Sequence, residues 1–316
     1  MMRLRSHILL TAVCALILLS LSARSSPAAF VDVGLGARPV GLGRAFVALA
    51  DDANAALYNP AGLAGLEGTQ LTSMYARLYP GIEDDKLHIG YLGVARPVSR
   101  IGTFGLGVTN LWADLYGENV FTLSYGRPIN DRLSLGANLK MLRWSAEGYT
   151  DAETGQSESG LSWSGLGLDL GALYRLNTGL LGADGVQLGL ALFNINQPSA
   201  ADNGSDDAKV PLGIEGGMVY LRSHFKLLLS FSRRDNKSRL HIGQETELWN
   251  QSSPLGMASF SIRAGGFTLL SDGDGGELDF GCGFTIRKTL IDYAYVYPLA
   301  LRDAGGCHKI SIGYGF

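Results

Sequence analysis

The feature that most constrains this chain is an alternation of apolar and polar residues with a period of two, repeated in long segments down to the last residue. Leu133, Leu135, Ala137, Leu139 and Met141 fall on one parity, and Ser134, Gly136, Asn138 and Lys140 fill the other. Successive side chains of a strand point to opposite faces, so such a segment has one apolar and one polar face. Leu166, Leu168, Leu170 and Ala172 repeat the pattern against Gly165, Gly167, Asp169 and Gly171. Val186 to Leu192, Phe225 to Phe231 and Leu278 to Ile286 do the same.

A soluble sandwich hides apolar faces between two sheets, whereas a membrane barrel turns them to lipid. Length separates the two. Sandwich strands run to about five or six residues, but a tilted strand needs about 9–11 to cross a bilayer. The segments here mostly reach about ten to thirteen, long enough to span. The fold expected is all-β: a transmembrane antiparallel β-barrel of about fourteen strands, an even number, with an N-terminal plug containing short helices. The strands are expected at 68–78, 86–97, 101–112, 118–128, 131–145, 161–176, 184–195, 208–220, 222–233, 238–249, 257–269, 277–287, 289–299 and 307–316. The first two alternate least.

Three regions follow: a leader at 1–29, a plug at 30–67 and the barrel at 68–316. Arg3 and Arg5 precede an apolar run from Ile8 to Leu21, and Pro27-Ala28-Ala29 supplies small residues for cleavage. This is the pattern of a secretory signal peptide, with the mature start near Phe30. The run is too short to favour an uncleaved anchor, and no other stretch approaches the ~20 apolar residues of a spanning helix. Cys282 and Cys307 remain after processing; they are expected on opposite faces of the wall, which rules against a disulfide.

The expected location is the outer membrane of a Gram-negative-type bacterium, with outer-membrane lipid as the surrounding partner. If the chain ends in the periplasm, the short turns 98–100, 129–131, 221–223 and 287–288 lie there, with longer ones around Gly179 and Ser253. The loops 146–160 and 196–208 then face outward; both are long and acidic, carrying among others Glu147, Asp151, Asp206 and Asp207. Trp112, Tyr116, Trp144, Tyr149, Trp163, Tyr293, Tyr295 and Tyr297 lie near strand ends, as interfacial girdles do. The terminal strand closes with Tyr314 and Phe316. That ending resembles the C-terminal signal read by the barrel-assembly machinery.

Residues 30–67 do not alternate. Gly34, Gly36, Gly41 and Gly43 open a turn-rich stretch, and Asp51-Asp52 can cap a short helix through Leu57 or Tyr58. Asn59-Pro60 stops it, because the residue before proline is pushed out of the α region. A segment this short cannot bury a core alone, and the barrel lumen is the place for it to dock. The string Gly36-Ala-Arg-Pro-Val-Gly41-Leu-Gly43-Arg44-Ala-Phe, followed by Asp51-Asp52-Ala-Asn54 and Asn59-Pro60-Ala-Gly, resembles the N-terminal hatch of the FadL-type superfamily, and within it the PorV/PorQ branch. The resemblance implies a fourteen-stranded barrel plugged by its N-terminus. FadL members pass fatty acids or other hydrophobic small molecules; PorV-like members serve protein secretion or surface attachment, with secretion-system proteins as partners. The acidic outer loops depart from the apolar loops of FadL transporters.

Catalytic patterns are missing from the sequence: no Gly-x-Ser-x-Gly, no His-Glu-x-x-His and no Cys-x-x-Cys. The expectation is a non-enzyme without cofactor or metal. The weak net charge of -3 gives no basic stripe for nucleic acid. Asp272, Asp274 and Glu277 could hold calcium, or form a solvated glycine-rich hairpin. Inward parity carries Lys140, Asp169, Glu215, Arg239, Glu245, Glu247, Arg263 and Asp279. Unpartnered burial of these would be costly, so they form either an ion-pair network that holds the plug or a polar route along which it moves. Gly102, Gly105 and Gly107 admit ordinary barrel packing or, as the resemblance implies, a bend in the third strand that opens sideways.

Overall fold

Every strand of the chain finds an antiparallel partner on both edges, and the two ends of the series meet. The computed structural model describes residues 29–30, 32–81, 86–148, 159–176, 184–199, 209–234, 237–253, 256–270 and 275–316. The leader (1–28), Tyr149, Asp272 and Asp274, and most of the acidic loops 146–160 and 196–208 lie outside the described residues. The strands are β1 (Gln70–Arg77), β2 (His88–Val98), β3 (Gly102–Trp112), β4 (Tyr116–Pro128), β5 (Leu133–Ala146), β6 (Leu161–Leu176), β7 (Gly185–Phe193), β8 (Gly213–Arg222), β9 (Phe225–Arg234), β10 (Lys237–Ser253), β11 (Gly256–Leu269), β12 (Gly276–Ile286), β13 (Thr289–Pro298) and β14 (Cys307–Gly315). Each pairs with its sequence neighbour, and β1 pairs with β14 to close the barrel. Closure leaves no sheet edge, which is what a lipid-embedded sheet requires. Among the described residues no helix is long and apolar enough to cross a membrane.

Burial follows parity in the inverted sense of a membrane barrel. In β12, Phe280 is 54% exposed and Asp279 between its apolar neighbours is 0% exposed. In β3, outward Leu106 is 61% exposed while inward Thr103 is buried. Outward leucines, isoleucines and phenylalanines on so many strands form far more contiguous apolar surface than a soluble monomer presents. Cys282 and Cys307 are free, and parity sends them to opposite sides of the wall.

The lumen holds a hatch built from α1 (Ala37–Gly41), α2 (Ala55–Tyr58) and a 3₁₀ helix, Pro60–Gly65. Phe46, Leu42, Leu63, Val40 and Val47 are fully buried there, so this segment supplies the apolar core that the barrel wall alone lacks. The wall admits it at inward glycines. Gly136 and Gly171 stand opposite each other in the β5–β6 register beneath Asn59-Pro60-Ala61; a Cβ on Gly136 would strike the Pro60-Ala61 backbone, and one on Gly171 the Asn59 side chain. Gly43, at φ +64°, turns the chain against the backbone of Gly266; side-chain-bearing residues seldom take that conformation.

Four details depart from expectation. Asp52 accepts from Asn54 N through Oδ1 and from Ala55 N through its carbonyl at the start of α2, but its other carboxylate oxygen and both oxygens of Asp51 turn to Arg38. Strand β8 starts at Gly213 rather than near 208, because Pro211 has no N–H to give a ladder. Strand β10 runs on to Ser253 through a register shift between Glu247 and Trp249, a bulge the alternation does not reveal. Tyr116, Trp144 and Trp163 sit on the inward parity of their strands, so they ring the lumen mouth. The lipid-side girdle is made instead by Trp112, Tyr75, Tyr293, Tyr295 and Tyr297, with His88 stacked between Tyr75 and Trp112 and His308 tilted against Tyr293 and Tyr295.

Candidate functional site

Arg38, at the second position of α1, is the hub of the hatch. Its guanidinium meets Asp51 at 2.5 Å, Asp52 at 2.7 Å and Glu245 of β10 at 3.0 Å. Glu245 in turn takes Lys226 of β9 at 2.7 Å and Arg263 of β11 at 2.6 Å, and Arg263 reaches Asp292 of β13 at 2.7 Å. Hatch and wall therefore share one continuous ion-pair chain. Burial alone would lower the Arg38 pKa, but the surrounding carboxylates raise it well above the ordinary value. Burial raises Asp51 too, yet Arg38 and Lys226 outweigh it and hold this carboxyl below the usual range. Asp52 goes the other way: burial, with the Asp51 charge beside it, pushes it up despite Arg38. Geometry shows the same inequality: Asp51 accepts from both Nη1 and Nη2 of Arg38, Asp52 from Nη1 alone.

A second tie forms where Arg44 meets Glu277 at 2.6 Å and lies over the Phe267 ring at 5.2 Å. Arg239 approaches the same ring, at 5.7 Å. His241 bridges Gly43 O and Ser232 Oγ, each at 2.8 Å, and Lys309 donates to Val33 O and Gly34 O at 2.6 and 2.7 Å. Asn59, fully buried, donates to Val47 O in the hatch and to Ala172 O in β6, and its Oδ1 accepts from Ala61 N to start the 3₁₀ helix. Such bonds to buried groups are expensive to lose.

Not every inward charge joins the hatch. Lys140 and Asp169 pair at 2.7 Å within the wall, supported by Asn194 and Asn138, and Asn138 alone reaches the hatch at Ala56 O. Glu215 takes Ser230 Oγ at 3.2 Å and Arg234 at 3.5 Å. Glu247 lies at the rim with the exposed His224, apart from the hatch contacts. Asp279 is fully buried, neither carboxylate oxygen has a hydrogen-bond partner among the described residues, and the charges acting on it are those of Arg44, Glu277 and Lys309. Among the described residues no group of three His, Cys, Asp or Glu side chains could hold a metal ion.

Arg38, Asp292, Lys309 and His241 were not singled out from sequence. Parity would have found the last three, which share the inward face with Ala294, Ser311 and Gly243. Arg38 carried only one signal, a charge set among glycine and apolar residues with no polar neighbour on either side.

Between the hatch and β2–β9, toward the end away from the short turns, lies a chamber of about 170 Å³. Leu57, Ile89, Leu111, Val120, Leu142 and Phe193 give it an apolar lining, and Asp32, Lys140, Asp169 and Arg234 edge it with charge. Burial raises the Asp32 carboxyl, but Arg234, Arg44 and Arg239 bring it far below the usual range. Strand β3 pairs with β2 and β4 without interruption through Gly105 and Gly107, and Gly102 pairs with Val98 at φ +139°. No bend opens there. Instead Gly93 and Gly107 stand opposite each other, covered on the lumen side by the Tyr91 ring and flanked outside by an apolar groove of about 470 Å³. Tyr314 and Phe316 stack edge-on at 4.9 Å on the outer face, and Phe316 N bonds to Thr69 O.

A closed fourteen-stranded barrel filled by its own N-terminal segment is the FadL-type outer-membrane barrel fold. Among solved structures, the chain is similar to the CymD monoaromatic hydrocarbon channel (14% identity, 91% of this chain and 99% of that one, TM-score 0.63). It is similar to a FadL homologue of Pseudomonas aeruginosa at 16% identity over 92% and 100% of the two chains, TM-score 0.61. The toluene transporter TbuX of Ralstonia pickettii aligns at 13% identity over 89% and 98%, TM-score 0.61. No family description matches the sequence, and no curated protein matches it by sequence comparison.

Proposed function

We propose that the protein carries small apolar molecules across the outer membrane, without covalent chemistry, and that the chamber above the hatch is their binding site. The chamber's size carries the reading. An apolar cavity of about 150 Å³ takes up benzene, and this one measures about 170 Å³. A single ring is of that size. The hydrocarbon and toluene carriers with which the fold is shared support the same substrate class. Exit is proposed through the wall at Gly93 and Gly107, which face each other in the β2–β3 ladder with the Tyr91 ring on the lumen side and the apolar groove outside.

The test is uptake of radiolabelled toluene and of a long-chain fatty acid by cells with and without the barrel. Toluene uptake should rise with the wild-type protein and fall roughly tenfold with Leu142→Trp, which fills the chamber, an effect of the size that about 1.4 kcal/mol of binding gives. Uptake equal to that of barrel-free cells would remove the proposal.

A second reading, an accessory protein of secretion or surface attachment akin to PorV, draws on the continuous ion-pair chain that fixes the hatch to the wall. In that case secretion-system proteins co-purify with the barrel, and toluene flux does not change.

A further inference from the structure

We infer that the leader is cut between Ala29 and Phe30, and that the α-ammonium so created docks on Glu118 as the structural keystone of the lumen mouth. This rests on export through a cleaved leader and holds whatever the barrel carries. Phe30 N lies 2.8 Å from Glu118 Oε1, an atom that also accepts from Tyr116 Oη at 2.7 Å. Among the described residues no Lys, Arg or His side chain pairs with Glu118. A carboxylate partly withdrawn from water and lacking a cation is unfavourable; an ammonium at the Phe30 nitrogen supplies the charge at hydrogen-bond distance.

Backbone geometry points to the same bond. With Ala29 attached, Phe30 sits at φ +61°, a conformation in which a side chain crowds the neighbouring carbonyls. Once the bond is cut, residue 30 has no preceding carbonyl, and that crowding ends. The side chain is already seated: its ring lies 6.1 Å from that of Trp163, which faces Trp144 across β5–β6, and Trp144 faces Glu118 across β4–β5. Phe30 also lines the chamber. Hydrolysis by a leader peptidase breaks the Ala29 C–N bond. The hydroxyl of water goes to the Ala29 carbonyl carbon and its hydrogen to the Phe30 nitrogen, which takes one further proton from solvent. A cut one residue earlier would leave an uncharged amide at the Phe30 position and carry the charge past Glu118.

The experiment uses the barrel purified from outer membranes. N-terminal sequencing is expected to return Phe30. Acylation of its α-amine with an activated ester at pH 7, read by mass spectrometry against exposed Lys237, is expected to run roughly tenfold faster in Glu118→Gln than in the wild type, the change one pKa unit makes. The wild-type pH profile reports the same pair without a substitution: its midpoint should lie at least ~1 unit above the ordinary α-amine value of about 8. A mature chain starting elsewhere overturns the inference. So do equal labelling rates in the two proteins, or a wild-type midpoint at the ordinary value.

Discussion

On the β9–β13 side of the lumen, hatch cations meet wall carboxylates at 2.6 to 3.0 Å, whereas on the β3–β8 side the wall charges Lys140 and Asp169 pair with each other. There the hatch touches the wall through paired glycines below and borders an open chamber above. Where hatch charge reaches across the chamber, from Asp32 to Arg234, the distance lengthens to 3.5 Å. Short, shared ion pairs in a low-dielectric interior fix position strongly; long single ones do not. The difference teaches that charge anchors the hatch along one wall, while hydrogen bonds from Asn59, Asn138 and Gln187 and close packing on glycine hold it along the other.

The sharpest way to break this contrast is to remove its hub. Arg38→Ala leaves Asp52 without its cation and takes one cation each from Asp51 and Glu245, and should weaken hatch seating by about 3–5 kcal/mol, seen as trypsin cutting within 37–65 and a lower urea midpoint. If Arg38→Ala matches the wild type in both, the anchored wall is not anchored by charge. Next in size, Gly136→Val pushes a side chain into the Pro60-Ala61 backbone and should cost about 1–3 kcal/mol by overpacking, read from the thermal midpoint in detergent; an unchanged midpoint would mean the 3₁₀ helix can lift freely.

Asp279→Asn should act in the opposite direction. It removes a buried charge whose oxygens accept no hydrogen bond from the described residues and should raise the same midpoint by an amount on the order of 1 kcal/mol; a fall would show that its charge is needed beside Arg44 and Lys309. The smallest effect is that of acid. Asp51 and Asp32 have folded pKa values below the unfolded one, so their contribution is complete above the usual carboxylate value near 4 and is lost as pH falls through the folded values. Asp52 has the reverse sign, with its contribution largest at low pH, and offsets part of the loss. Hydrogen exchange across 37–58 should quicken only below about pH 4; quickening near neutrality would contradict these signs.

Much of the wall was legible because a period of two encodes face and span together. Strand β6 lies at 161–176, as alternation predicts, and the ladder continues past Asp279 and Lys140 with both facing inward. What alternation could not encode is which inward groups meet. Trp144 and Trp163 were grouped with the girdle by their nearness to strand ends, although their parity sends them into the mouth. The capping bond of Asp52 was legible because capping is local, while the shared partner Arg38 lies 13 residues before Asp51 in a separate turn. The glycines of β5 and β6 were visible, but the Asn59-Pro60-Ala61 segment that requires them was not.

One consequence of the seam between β1 and β14 concerns the order of assembly. Arg77 pairs with His308, so the last ladder of the ring joins strands from opposite ends of the barrel sequence. Linking such distant segments is entropically slow and comes late. A hatch whose backbone is pressed onto glycines from several strands has little room to be threaded into a finished ring. Laying the hatch down while the sheet is still open, before the seam closes, is the order that avoids such threading.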